Sequence, residues 1–275
     1  MNFKEVEKAV GKIQSHLFRN SNSFAIGMLK SHFKGSGLQF KEHQLYTPGD
    51  DVRFIDWKLS AKTNNTFIKT FEEERNIEIV VVLDVVESML IGYKGVSKLQ
   101  AALEIACLLY LLAEKTKDQV KVALFTDKSQ ILPASSGQQG IVLLVSTLQR
   151  MGVLNEAGQV DINFRLASLL EQNKKLALIK SFVARTKEVV LLSDFSHLDD
   201  FETLNKLLYR SNMHCFKMTS PVDEEKKSRF AIFTKVGGRG SLVKTNTEKM
   251  EALKGRYRKI SVKDRYLENF IHEML

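Results

Sequence analysis

Two kinds of apolar run alternate along this chain. Ile77-Glu78-Ile79-Val80-Val81-Val82-Leu83 is apolar at six of seven positions, mostly β-branched, and stops at Asp84. A short run of that composition predicts a strand buried on both faces. Residues 120–125, 188–192 and 213–218 predict further strands, and Ile131-Leu132 a short antiparallel edge strand. Between them the spacing becomes helical. Leu99, Leu103, Ala106, Leu109, Tyr110 and Ala113 share one stripe of a helix over 98–115. Helices are expected over 139–151, over 164–184 in one or two pieces, and over 201–209. Strands alternating with helices imply βαβ units with right-handed crossovers. The expected fold is therefore α/β, a three-layer sandwich around a mostly parallel, doubly wound sheet.

The flanks follow other patterns. Phe3, Val6, Val10, Ile13, Leu17 and Phe18 predict an amphipathic helix over 2–19. Residues 38–74 read as β-rich, with strands near 38–46 and 66–71 and a type II turn at Pro48-Gly49. The tail predicts strands near 230–234 and 241–244, then a helix over 248–257. This gives four parts: a basic helical segment, 1–37; a β-rich segment, 38–75; the α/β domain, 76–221; and a basic extension, 222–275, packing on the rest.

Composition narrows the class. The 275 residues suffice for a real core, and 44% hydrophobic with 27% charged is ordinary for a folded soluble protein. No apolar run reaches the ~18 residues of a membrane span, and no leader pattern opens the chain, so a cytoplasmic protein without membrane insertion is expected. Cys107 and Cys215 lie in core patterns and read as reduced, buried thiols. The net charge of +9 resides in the flanks, +4 over 1–37 and +5 over 222–275. Its lysines and arginines are dispersed, so specific nucleic-acid binding is not expected, although a basic nucleic-acid-binding protein is one alternative.

Candidate chemistry gathers where strands end. The runs closing at Asp84 and at Ser193-Asp194 put two carboxylates at one sheet edge if their strands are neighbours, where open α/β sheets bind ligands. With Ser88 on the following loop, they offer oxygen ligands to a hard cation such as Mg2+. Phosphate-loop, His-Glu-x-x-His, Cys-x-x-Cys and Gly-x-Ser-x-Gly patterns are all absent.

The acidic edge resembles the von Willebrand factor type A fold, a Rossmann-like sheet whose metal-ion-dependent adhesion site uses an Asp-x-Ser-x-Ser loop, a Thr and a second Asp. Upstream, Phe40-Lys41-Glu42, Tyr46-Thr47-Pro48-Gly49-Asp50-Asp51-Val52-Arg53-Phe54-Ile55-Asp56-Trp57, Ser60-Ala61-Lys62 and Lys69-Thr70-Phe71-Glu72-Glu73-Glu74-Arg75 resemble the signature of the bacterial domain-of-unknown-function family fifty-eight. The resemblance covers about residues 35–220. It implies a von Willebrand factor A-like domain after the signature and association with a MoxR-type AAA+ ATPase, and it implies no known reaction.

The chain departs from the metal motif at two positions. Asp84-Val85-Val86-Glu87-Ser88 has Val86 where a Ser ligand belongs, and Val160-Asp161-Ile162 has Val160 in the Thr position. Valine offers no oxygen to a small hard cation. The expectation is a degenerate site with no cofactor, Asp84, Ser88 and Asp194 binding Mg2+ weakly if at all. A functional Mg2+-dependent ligand-binding protein is the other alternative. The signature, with Tyr46, Pro48, Gly49, Asp50, Asp51, Arg53, Asp56 and Trp57, has two readings. It is a docking epitope, or Trp57 is a buried anchor ringed by an ion-pair network, the reading favoured here. The expected function is a non-enzymatic protein–protein interaction module, an adaptor for a MoxR-type ATPase.

Overall fold

The computed structural model describes residue 11 and residues 37–63, 65–74, 77–185, 188–198, 200–224, 233–236, 239–242, 257–263 and 265–274. The amino-terminal helix expected over 2–19 lies, apart from Gly11, outside them. So does the helix expected over 248–257, except Tyr257, which opens a strand.

Residues 33–76 form one compact unit and the rest of the chain another. In the smaller unit, β1 (Gly37–Leu45) pairs antiparallel with β2 (Phe67–Glu74), with a register shift between Phe40 and Glu42. The connection carries a 3-10 turn, Val52–Phe54, and a short helix α1 (Trp57–Thr63). The Pro48-Gly49 turn forms as expected. Asp50 N donates to Thr47 O (3.0 Å), and Gly49 sits at φ +114°, where a side chain would be strained.

The larger unit is built on β3 (Glu78–Asp84). A tight hairpin, β4 (Gly92–Tyr93) and β5 (Val96–Ser97), leads into α2 (Lys98–Thr116). There follow β6 (Gln119–Phe125), β7 (Ser129–Ile131), α3 (Gly137–Arg150), α4 (Gln172–Arg185), β8 (Glu188–Ser193), α5 (Phe201–Leu208) and β9 (Met213–Thr219). The chain continues with α6 (Pro221–Glu224), a hairpin β10 (Phe233–Val236) and β11 (Arg239–Leu242), β12 (Tyr257–Ser261) and α7 (Tyr266–Met274). The main sheet has six strands in the order β12-β9-β8-β3-β6-β7, and only β7 is antiparallel.

Helices cover both faces of this sheet. Val80, Val82, Val189 and Leu191 form one core layer with Leu176 and Ile179 of α4 and Leu204, Leu207 and Leu208 of α5. On the other face α2 packs against β3, β6 and β9, and α3 and α7 pack against α2. A helix enclosed in this way is apolar nearly all round, which explains its long buried list from Leu99 to Ala113.

Two expectations change. Residues 164–171 are not helical. Asn163 N donates to the Asp161 carboxylate (2.8 Å), and Leu170 N donates to Thr126 O (2.8 Å), so these amides are satisfied outside a helix. The sheet also runs past residue 221: β12 joins β9 in parallel register, Tyr257 beside Cys215.

Candidate functional site: an acidic sheet edge held by two lysines

The connection from β3 runs to β6 on one side, and the connection from β8 runs to β9 on the other. The order therefore reverses between β3 and β8, and their carboxyl ends flank the crevice where doubly wound sheets bind ligands. Register places Leu83 beside Leu192, so the chain delivers Asp84 and Ser193-Asp194 to adjacent positions at that edge.

Neither carboxylate faces water. Asp84 is 2% exposed and Asp194 7%. The Lys175 ammonium, on α4, lies 2.7 Å from Asp84 Oδ1, and Ser193 Oγ donates to Asp84 Oδ2 (2.9 Å). The Lys98 ammonium, at the start of α2, lies 2.9 Å from Asp194 Oδ2 and 3.2 Å from Asp223 Oδ2. Both lysines are 1% exposed. Asp194 Oδ1 accepts from Ser196 N (3.1 Å) and Ser196 Oγ (2.7 Å), and Ser88 Oγ lies 2.6 Å from Ser196 Oγ. Asp223 Oδ2 also accepts from Ser220 N and Ser220 Oγ, both at 2.8 Å. Between Asp194 and Ser196, Phe195 holds φ at +59°, rare for a bulky residue. Its ring is buried, edge-on to Tyr257 with 6.1 Å between centroids.

The electrostatics follow from this geometry. Burial alone would push the Lys98 ammonium towards neutrality, but Asp194 and Asp223 outweigh it and hold the group above its usual range. Burial likewise works against the Asp194 charge, and Lys98 with the Ser196 hydroxyl and amide reverses the balance, keeping the carboxyl below its usual range.

A divalent ion does not fit these donors. The oxygens that would ligate it already meet ammonium groups at hydrogen-bonding distance. Val86 is fully buried, and its side chain caps nothing. Val160 lies on a loop where its amide donates to Gln100 Oε1 (3.0 Å). Among the described residues, no group of three or more His, Cys, Asp or Glu side chains is arranged to hold a metal. Sequence reasoning singled out Asp84, Ser88 and Asp194 but missed Lys98, Lys175 and Asp223. One signal was present for Lys175, which lies on the stripe that buries Leu176 and Ile179. Another was present for Lys98. A cation in the first turn of a helix opposes the helix dipole and calls for a nearby anion.

The signature segment departs from the favoured reading. Trp57 is not a buried anchor: it is 70% exposed, and Leu45 and Val52 are exposed beside it in the sequence. The charges do not ring it either. They form separate local contacts that shape the loop. The Asp51 carboxylate takes Arg53 Nη2 at 2.6 Å and Arg53 N at 3.0 Å, which lowers its pKa to about 2. Asp56 caps α1 through Leu59 N (3.0 Å), with His43 at 3.0 Å and Lys69 at 3.3 Å, and is lowered to about 2 as well. Asp50 accepts from Thr47 N (2.9 Å) and Thr47 Oγ1 (2.8 Å). Tyr46 is half-buried, its amide donating to Thr66 O (2.9 Å). The polar side chains are spent on the turn, and the tryptophan is left on the surface.

Fold and site together define a three-layer α/β protein whose acidic sheet edge is neutralised from within. The chain belongs to the family described as "Protein of unknown function DUF58", which matches residues 42–258. It is 22% identical over 193 residues to the uncharacterized proteins Rv1480 of Mycobacterium tuberculosis and Mb1516 of Mycobacterium bovis, covering 70% of this chain. The aligned stretch spans 58% of the length of these curated relatives. Among solved structures, the conserved hypothetical protein BatB from Bacteroides thetaiotaomicron is similar at 14% identity and a TM-score of 0.44, over 72% of this chain and 97% of that one. An aerotolerance-related membrane protein from Bacteroides fragilis gives the same identity and score over 72% and 98%. No helix among the described residues is long and apolar enough to cross a membrane.

Proposed function

We propose that this protein is a non-enzymatic protein–protein interaction module of the von Willebrand factor A-like type, working in the cytoplasm as the partner of a MoxR-type AAA+ ATPase. The ATPase rests on the resemblance of the signature segment, as does the type of domain. The observation that carries the reading is the paired ammonium–carboxylate contact at the sheet edge. A buried Asp whose oxygens are committed to a buried Lys and to hydroxyls has no lone pair left to organise a metal or activate a nucleophile. The exposed Trp57 supports a docking role for the signature, because tryptophan is enriched among residues that dominate binding energy.

The test is capture. The protein is mixed with a purified MoxR-type ATPase from the same genome and resolved by size exclusion and calorimetry. Wild type is expected to bind, and Trp57→Ala to weaken binding at least tenfold while its melting temperature stays within about 1 °C, as for a surface substitution. Absence of binding by wild type overturns the partner. A large melting shift in Trp57→Ala overturns the docking role.

The edge makes a second prediction. Millimolar Mg2+ should leave the melting temperature unchanged, whereas an ion at ~100 times its Kd adds about 2.7 kcal/mol to the folded state. Val86→Ser with Val160→Thr should not create a response, because Lys98 and Lys175 still occupy the carboxylates. A Mg2+-dependent rise in wild type would return metal-dependent ligand binding to this edge.

A further inference from the structure

A cleft of about 810 Å³ opens beside the first turns of α2. One wall is the β4–β5 hairpin. Lys94 (φ 46°) and Gly95 (φ +83°) are both left-handed there, as a two-residue turn with right-handed twist requires. Tyr93 and Val96 flank that turn and line the cleft. The other wall is the loop 155–162, shaped by the Asn155 side chain, which accepts from Ala157 N (2.9 Å) and Gln159 N (3.0 Å). Asp161 and Val160 line it from this side.

The floor carries Glu104, 4% exposed. Its carboxylate is fixed by two neutral donors, Gln100 Nε2 (2.9 Å to Oε1) and the Tyr266 hydroxyl (2.5 Å to Oε2). The Gln100 side chain also accepts from Val160 N, so one amide ties floor to wall. The negative field of Glu104 is visible in its neighbours. Burial, then the Glu104 charge, push both the Tyr266 hydroxyl and the Cys107 thiol upward. At the rim the Tyr93 ring already draws a cation, the Lys94 ammonium lying 5.3 Å from its centroid. A preorganised carboxylate at the floor, a second on the wall and an aromatic face at the rim form an acidic pocket on a protein of net charge +9. The volume exceeds one side chain and falls in the range of ligand pockets.

From these contacts we infer that the cleft is a recognition site for a basic side chain, arginine or lysine, presented by an extended segment of a partner protein. The guest's cation sits towards Glu104, its aliphatic stem runs past Val160 and Val96, and the Tyr93 ring flanks the entrance. Glu104 accepts a charge-assisted hydrogen bond there, and Asp161 adds a second negative charge. The inference deepens the interaction-module reading and rests on it. Its test uses peptides alone, so the outcome is independent of whether the ATPase binds.

The probes are acetyl-Gly-Leu-Arg-Leu-Gly-amide and the same peptide with citrulline, a neutral isostere, in place of arginine. Amide shifts of Gly92, Gly95 and Val160 are followed by NMR on the full chain. The arginine peptide should give saturable shifts at these amides, citrulline should bind at least tenfold more weakly, and Glu104→Gln should lose the discrimination between the two. Equal binding of both peptides, or no shift at the cleft with arginine, overturns the inference. If Glu104→Gln fails to fold, the comparison of peptides on wild type decides, with Asp161→Asn as the second variant, expected to weaken arginine binding several-fold and leave citrulline unchanged.

Discussion

Lys175→Met is expected to destabilise the protein by about 3–5 kcal/mol, the cost of removing one partner from a buried ion pair. The substitution keeps most of the side-chain length and removes the ammonium 2.7 Å from Asp84 Oδ1. Asp84 is then left at the end of the central strand with Ser193 Oγ as its remaining printed donor. The penalty comes from the orphaned carboxylate, since methionine packs acceptably in the space beside Leu176 and Ile179. The control follows from the same argument. Asp84→Asn in the Lys175→Met background removes the uncompensated charge and can still accept from Ser193. The double variant should recover more than half of the loss. Urea denaturation of the two single variants and the double variant gives the coupling between the sites directly. Additive losses would mean that Lys175 acts through its hydrocarbon stem and the pair has no special weight.

The central strands and the helices over α2, α3 and α5 were legible because burial imposes a period, and the period survives in the sequence. Ile77 to Leu83 is buried on both sides and is almost continuously apolar for that reason. The closing strand was not legible. In β12, Tyr-Arg-Lys-Ile-Ser, only Ile260 is buried, as befits an edge strand, and so few apolar positions do not rise above a basic tail. The following helix was legible in principle. Tyr266, Leu267, Phe270, Ile271 and Met274 fall on one helical stripe, and they are buried. The site divides in the same way. Aspartates at strand ends are visible because they interrupt apolar runs. Their lysine partners are 96 and 91 residues away in sequence, on helices where lysine ordinarily marks the wet face. Trp57 shows the reverse error. A lone tryptophan in a polar segment invites the reading of an anchor, but local hydrogen bonds to Asp50, Asp51 and Asp56 build the loop without it.

Lys98→Met should cost at least as much near neutral pH, and its pH dependence should identify the cause. In wild type, Asp194 is held below 3.8, so its contribution is present above that value and is lost as pH falls through the folded pKa. Lys98 is held above 10.5, so its contribution is complete below that value and is lost as pH rises through its own folded pKa. The pair therefore stabilises across the whole range between. Without the ammonium, Asp223 keeps its contacts with Ser220, whereas Asp194 Oδ2 faces an apolar side chain. Burial, already the largest influence on Asp194, then acts without the Lys98 charge against it and raises the carboxyl above its unfolded value. The sign of the linkage reverses. The variant binds the proton more tightly when folded, so its deficit relative to wild type shrinks as pH falls towards 4 and widens towards 8. Urea midpoints of the two proteins at half-unit intervals from pH 4 to pH 8 measure this. A deficit that stays constant with pH would show that Lys98 contributes through packing, and the internal neutralisation of the sheet edge would then rest on Lys175 alone.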